Sequence, residues 1–84
     1  MYLLFFKAPW CSACHAIEAN VPSYAVHINC LEDEETPVKY GVNSLPLFIA
    51  INDKEEEIGR IQTTNVSVID SWYKALEAEN ERSE

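Results

Sequence analysis

The chain has 84 residues, 48% of them hydrophobic and 24% charged, which supplies apolar material for one packed core over residues 1–84 and excludes a multidomain enzyme or a largely disordered chain. Fourteen acidic residues against six basic ones give a net charge of −8; such a surface repels phosphate backbones and anionic lipids, so no nucleic-acid or membrane partner is expected and a soluble monomer is. The longest apolar run, Leu3 to Phe6, ends at Lys7 and is too short for a bilayer span or a secretory leader, and three cysteines cannot all pair within one chain, which together favour a reducing, cytoplasmic setting over a disulfide framework.

Tyr2 to Phe6 is aromatic and branched without polar alternation, the pattern of a strand buried on both faces in the middle of a sheet. Ala8-Pro9-Trp10 breaks the run, and Cys11 to Asn20 reads as a short helix that packs through Ala13, Ala16, Ile17 and Ala19 and is limited by Pro22. Tyr24 to Cys30 alternates, with Val26, Ile28 and Cys30 on one face and Ala25, His27 and Asn29 on the other, as a second strand does. Glu32 to Tyr40 reads as a short helix or helical turn closing on Gly41, with Pro37 restricting where it begins. Pro46 to Ile51 is again a strand, Asn52-Asp53-Lys54 a turn, and the residues around Ile58 to Gln62 return antiparallel to it. Val66, Ile69, Tyr73 and Leu76 recur at helical spacing behind a cap at Asn65 or Ser67, and the polar stretch 77–84 is expected to fray. The order β-α-β-α-β-β-α gives an α/β fold, with strands joined through a helix running parallel and the last pair antiparallel.

Cys11 and Cys14 are separated by two residues at the start of the first helix, where backbone N–H groups and the helix dipole stabilise a thiolate. Cys11 is placed to attack a substrate disulfide, and Cys14, one turn behind, to resolve the mixed disulfide. Lys7, four residues upstream, offers a positive charge nearby.

The stretch Phe6-Lys7-Ala8-Pro9-Trp10-Cys11-Ser12-Ala13-Cys14 resembles the active-site segment of thioredoxins, and Val38-Lys39-Tyr40-Gly41-Val42-Asn43-Ser44-Leu45-Pro46 resembles the segment that in that family ends in a cis-proline facing the cysteine pair. The resemblance implies a minimal thioredoxin-like fold with a four-stranded mixed sheet and helices on both faces, a cis Pro46, and Leu45 offering backbone hydrogen bonds to a substrate strand. It also implies that Trp10 flanks the site as a contact surface, with Lys7, Ser12, Ala13, His15 and His27 around the cysteines. An NADPH-dependent flavoprotein of the thioredoxin-reductase type would recharge the pair, disulfide-containing proteins such as ribonucleotide reductase would be clients, and the redox-active disulfide would serve without a further cofactor.

The chain departs from the family pattern in several places. It lacks the initial strand and helix of full-length thioredoxins and is nearer in size to glutaredoxins, yet Thr63-Thr64 stands where glutaredoxins carry a Gly-Gly pair for glutathione. Ser12-Ala13 replaces the usual Gly-Pro, which leaves the redox potential open. Phe5 occupies the position of a buried acid six residues before the first cysteine, and His27 falls where a lysine is common. With that acid absent, His27 or His15 is the candidate to move the proton of Cys14.

Other chemistries draw on the same residues. Cys11-Ser12-Ala13-Cys14-His15 matches the C-x-x-C-H pattern of covalent haem attachment, which also needs export and a second axial ligand, and the one methionine is Met1. Cys11, Cys14, His27 and Cys30 together have finger-like zinc-ligand spacing, although residues three apart on a strand point to opposite faces. A non-enzymatic adaptor that binds a partner through the Trp10 and Pro46 surface is the remaining alternative.

Overall fold

Among the described residues, 1–82 of a computed structural model, the elements are β1 Tyr2–Lys7, α1 Ser12–Ile17, β2 Val26–Asn29, α2 Glu35–Lys39, β3 Leu47–Ile51, β4 Glu57–Ile61 and α3 Ser67–Arg82. Leu3 to Phe6 are all buried, which requires cover on both faces and puts β1 inside the sheet. The strand order is β2-β1-β3-β4. β1 runs parallel to β2 through the α1 crossover, with Leu4 opposite Val26 and Phe6 opposite Ile28, and antiparallel to β3, with Phe5 opposite Phe48. β3 and β4 form the expected antiparallel hairpin.

Alternation along these strands divides the apolar residues between the two faces of the sheet. Leu3, Phe5, Phe48 and Ala50 pack with Cys14 and Ile17 of α1 and with Ile69 and Tyr73 of α3. Leu4, Phe6, Leu47, Ile49 and Ile51 form the opposite layer, against which Ile28, Cys30, Tyr40 and Val42 pack. The four-stranded mixed sheet is therefore covered on both sides.

Local chemistry sets the element ends. The first helix stops at Ile17 and tightens into a 3-10 turn over Glu18–Asn20, closed by the Val21 N–H on the Glu18 carbonyl at 3.4 Å. Helix α2 starts only at Glu35, and Pro37 is tolerated there because N–H groups of a first turn have no intrahelical partner. Asp33 replaces those partners, accepting from the Thr36 N–H at 3.0 Å and its hydroxyl at 2.6 Å. Gly41, at φ +62°, ends the segment. Asn65 accepts from the Ser67 N–H at 3.2 Å and so starts α3.

Further expectations differ from the structure. β2 spans only Val26–Asn29 of the stretch Tyr24 to Cys30, with Tyr24 and Cys30 in the turns on either side. Val26 shares a face with Ile28 and Cys30, yet it is 46% exposed at the start of β2, an edge strand of the sheet. The stretch from Glu77, expected to fray, is helical to Arg82, since Glu, Ala and Arg are strong helix formers; residues 83–84 of that stretch lie outside the described residues. No helix among those described is long and apolar enough to cross a membrane.

Candidate active site

β1 ends at Lys7, and the chain turns through Ala8, Pro9 and Trp10, where the Cys11 N–H donates to the Ala8 carbonyl at 3.0 Å. Cys11 is the N-cap of α1, its sulfur accepting from the Cys14 N–H at 3.2 Å. Ser12 and Ala13 complete the turn between the cysteines, which are joined in a disulfide with Cα atoms 5.3 Å apart. The two sulfurs are not equivalent. Cys14 is only 2% exposed, packed in the layer beneath α1, whereas Cys11 is partly open. A substrate sulfur can therefore approach Cys11, and Cys14 is confined to exchange with Cys11.

Cys11 opens into an apolar cavity of about 470 Å³ that Trp10, Cys30, Pro37, Val42 and Leu45 also line. The Leu45-Pro46 peptide bond is cis, and Ser44 holds this loop to the end of β4 by donating its hydroxyl to Gln62 Oε1 at 3.1 Å. Trp10 is 69% exposed, so its indole forms the outer wall of the cavity rather than part of the core.

A smaller cavity of about 140 Å³ lies behind the pair, lined by Lys7, Pro9, Cys14, His15, Glu18 and Asn29. The Lys7 ammonium donates to the Glu18 carboxylate, and His27 Nδ1 is 3.9 Å from the same carboxylate. The hydrogen bond from Lys7 holds Glu18 below the ordinary carboxylate range. Burial, with the Lys7 charge behind it, lowers the His27 imidazole, and Glu18 offsets only part of this. His15 Nε2 is 3.0 Å from the Pro9 carbonyl oxygen. The Cys30 thiol is pushed up by burial and by Asp33.

Of the residues singled out by sequence, Trp10 and Leu45 share the cavity of Cys11, with Pro46 following directly in the chain. Lys7 does not face that cavity; it lines the one behind Cys14, where Glu18 neutralises it. The two histidines separate. His15 lines the Cys14 cavity, whereas His27 lies edge-on to Phe5, with centroids 5.2 Å apart and planes at 79°. Phe5 itself is fully buried and fills the position of the missing acid with hydrocarbon.

Glu18, Pro37 and Val42 line the two cavities without a site role in the sequence, where Pro37 reads only as a limit on a helix and Val42 only as part of the loop segment. Glu18 carries no motif, and its only signal is a spacing of four residues from Cys14, which sets it one helical turn on. The zinc set does not converge. Cys11 and Cys14 are bonded to each other, and the strand alternation of β2 sends His27 toward Phe5 and Cys30 toward the opposite layer. Among the described residues, no three His, Cys, Asp or Glu side chains are grouped to hold a metal ion.

No protein-family model matches the chain. It is 34% identical to thioredoxin M2, chloroplastic, of Arabidopsis thaliana, over 80% of this chain and 43% of that protein. It is 30% identical to a thioredoxin of Haemophilus influenzae, over 80% of this chain and 66% of that protein. The chain thus spans less than two thirds of the length of either. Thioredoxin 1 from Thermosipho africanus superposes with a TM-score of 0.73 at 29% identity, covering 95% of this chain and 99% of that one.

Proposed function

The chain belongs to the thioredoxin family, and from that membership we propose that it is a thiol-disulfide oxidoreductase that reduces disulfides of substrate proteins by dithiol exchange. The observation that carries the reading is the unequal burial of a bonded cysteine pair at the mouth of an apolar cavity. Reduced Cys11 attacks one sulfur of the substrate disulfide and the other substrate sulfur leaves as a thiolate. Cys14 then attacks Cys11, closes the internal disulfide and releases the second substrate thiol. Trp10, Leu45 and the cis Pro46 shape the groove for the substrate strand, and Lys7, Ser12, Ala13, His15 and His27 make up the surround.

The disulfide is the only redox group this chemistry requires of the chain. A flavoprotein reductase of the thioredoxin-reductase type is the recharging partner, disulfide-containing proteins are the substrates, with ribonucleotide reductase a fitting client, and the setting is a reducing cytoplasm. The excess of acidic residues suits a soluble monomer without nucleic-acid or membrane partners.

A redox titration against defined thiol-disulfide buffers, with alkylation and mass spectrometry to locate the bond, tests the proposal. The expected result is a reversible two-electron couple at Cys11 and Cys14. A midpoint near about −270 mV fits a reductant and one near about −120 mV an oxidant. Stoichiometric zinc without a reversible couple would overturn the reading. In the Cys11→Ser variant exchange should be abolished; undiminished biological activity there would favour the adaptor instead.

A further inference from the structure

We infer that His15 is the proton acceptor for the Cys14 thiol in the resolving step, acting through the cavity that the two residues share. The inference rests on the exchange reading above. In the mixed disulfide Cys14 is an S–H group, and it becomes a nucleophile only by losing that proton. The thiol is 2% exposed within the core layer, so bulk solvent does not reach it freely. Its polar outlet is the cavity of about 140 Å³ behind the pair, room for a few water molecules at about 30 Å³ each.

Charged and titratable groups reach that outlet from each neighbouring element: Lys7 from β1, His15 from α1, Glu18 from the 3-10 turn, and His27 of β2 through its approach to Glu18. Lys7 is a cation with no lone pair to offer. Glu18 is engaged by Lys7, and that hydrogen bond reduces its proton affinity. His27 stands off against Phe5 and does not line the cavity. His15 differs from all three. Its Nε2 faces the Pro9 carbonyl at 3.0 Å, and a carbonyl only accepts, so Nε2 carries the hydrogen and the lone pair of the neutral ring is on Nδ1. The same hydrogen bond fixes the ring over the turn that leads into Cys11.

The step balances within the chain and its substrate. The Cys14 proton passes through cavity water to His15 Nδ1. The Cys14 thiolate forms a bond to Cys11 Sγ as the bond from Cys11 to the substrate sulfur breaks. The electron pair leaves on the substrate sulfur, which takes a proton to become a thiol. The dithiol is oxidised to a disulfide, and the substrate disulfide is reduced to two thiols.

Rapid acid quench of a single turnover, followed by alkylation and mass spectrometry, separates formation of the Cys11 adduct from its resolution. His15→Gln keeps a donor for the Pro9 carbonyl and His15→Ala removes the side chain. Both should form the adduct within about 2-fold of the wild-type rate and resolve it at least about 10-fold more slowly. Added imidazole should restore resolution in His15→Ala, which a purely structural role would not allow. Wild-type resolution rates in both variants, or a resolution defect in Glu18→Gln larger than in His15→Gln, would overturn the inference while leaving the exchange reading intact. Failure of the wild-type protein to form a Cys11 adduct would overturn both.

Discussion

Phe5 and Phe48 oppose each other across β1 and β3 with their rings stacked, centroids 4.9 Å apart and planes at 8°. Both are fully buried beneath the helix that carries the cysteines. Phe5→Ala should cost about 3–5 kcal/mol, from lost transfer energy and the cavity left behind. Phe5→Asp should cost more, because its carboxylate would meet a phenyl face and no donor. Urea unfolding checks both, and an Asp variant as stable as the wild type would show that the layer admits water.

What the sequence disclosed of this molecule was what short-range spacing encodes. Leu3 to Phe6 reads as a doubly covered strand, and Cys11 with Cys14 as a pair at a helix start, because each rests on periodicities of a few residues. The contact of Lys7 with Glu18 joins a strand end to a turn eleven residues away, and no periodicity relates them. Nor could spacing choose between His15 and His27, since the choice depends on how α1 crosses over the sheet. Cys30 reads as sharing a face with Ile28 and does pack on the same apolar layer, yet it also lines the Cys11 cavity, which its place in the strand pattern does not disclose.

Acidification should destabilise the fold in two stages. His27 has a folded-state pKa below its ordinary 6.5, so below that pH the unfolded chain binds the proton first and stability is lost as pH falls toward the folded value. Glu18, Asp33, Glu57 and Asp70 are likewise lowered by their partners. Their contribution is complete above the unfolded carboxylate range and disappears as pH falls through the folded values. Urea midpoints between pH 3.5 and 7.5 should show the upper stage flattened in His27→Gln. In Glu18→Gln the lower stage should shrink while the upper one widens, because Glu18 supports the His27 charge. Identical profiles for all three proteins would exclude these pairs as the source.

Gly41 ends α2 in the left-handed region, with the Val42 N–H donating to the Pro37 carbonyl at 2.8 Å. A Cβ at this glycine would meet nothing within 4 Å, so the cost of Gly41→Ala is conformational, about 1–2 kcal/mol. Gly41→Asn should lose less, since Asn tolerates this backbone better. Equal losses in thermal or urea unfolding would point to a steric cause instead. Because Val42 lines the cavity beside Cys11, the Ala variant should also raise the KM for a protein disulfide.

Trp10 joins substrate recognition to the reactive sulfur. It precedes Cys11 directly, lines the same cavity and leaves 69% of its surface in solvent. An indole so exposed adds little to folding, so Trp10→Ala should change stability by no more than about 0.5 kcal/mol. The same exposed surface is available to a partner, and a tryptophan at the centre of an interface commonly contributes about 1–2 kcal/mol or more. The expected loss in kcat/KM for a protein disulfide is roughly 5- to 30-fold, carried mainly by KM. A small disulfide that reaches Cys11 without spanning the wall should lose distinctly less. Equal losses for the two substrates would mean that Trp10 acts on Cys11 itself, through its reactivity or position, rather than by holding the partner.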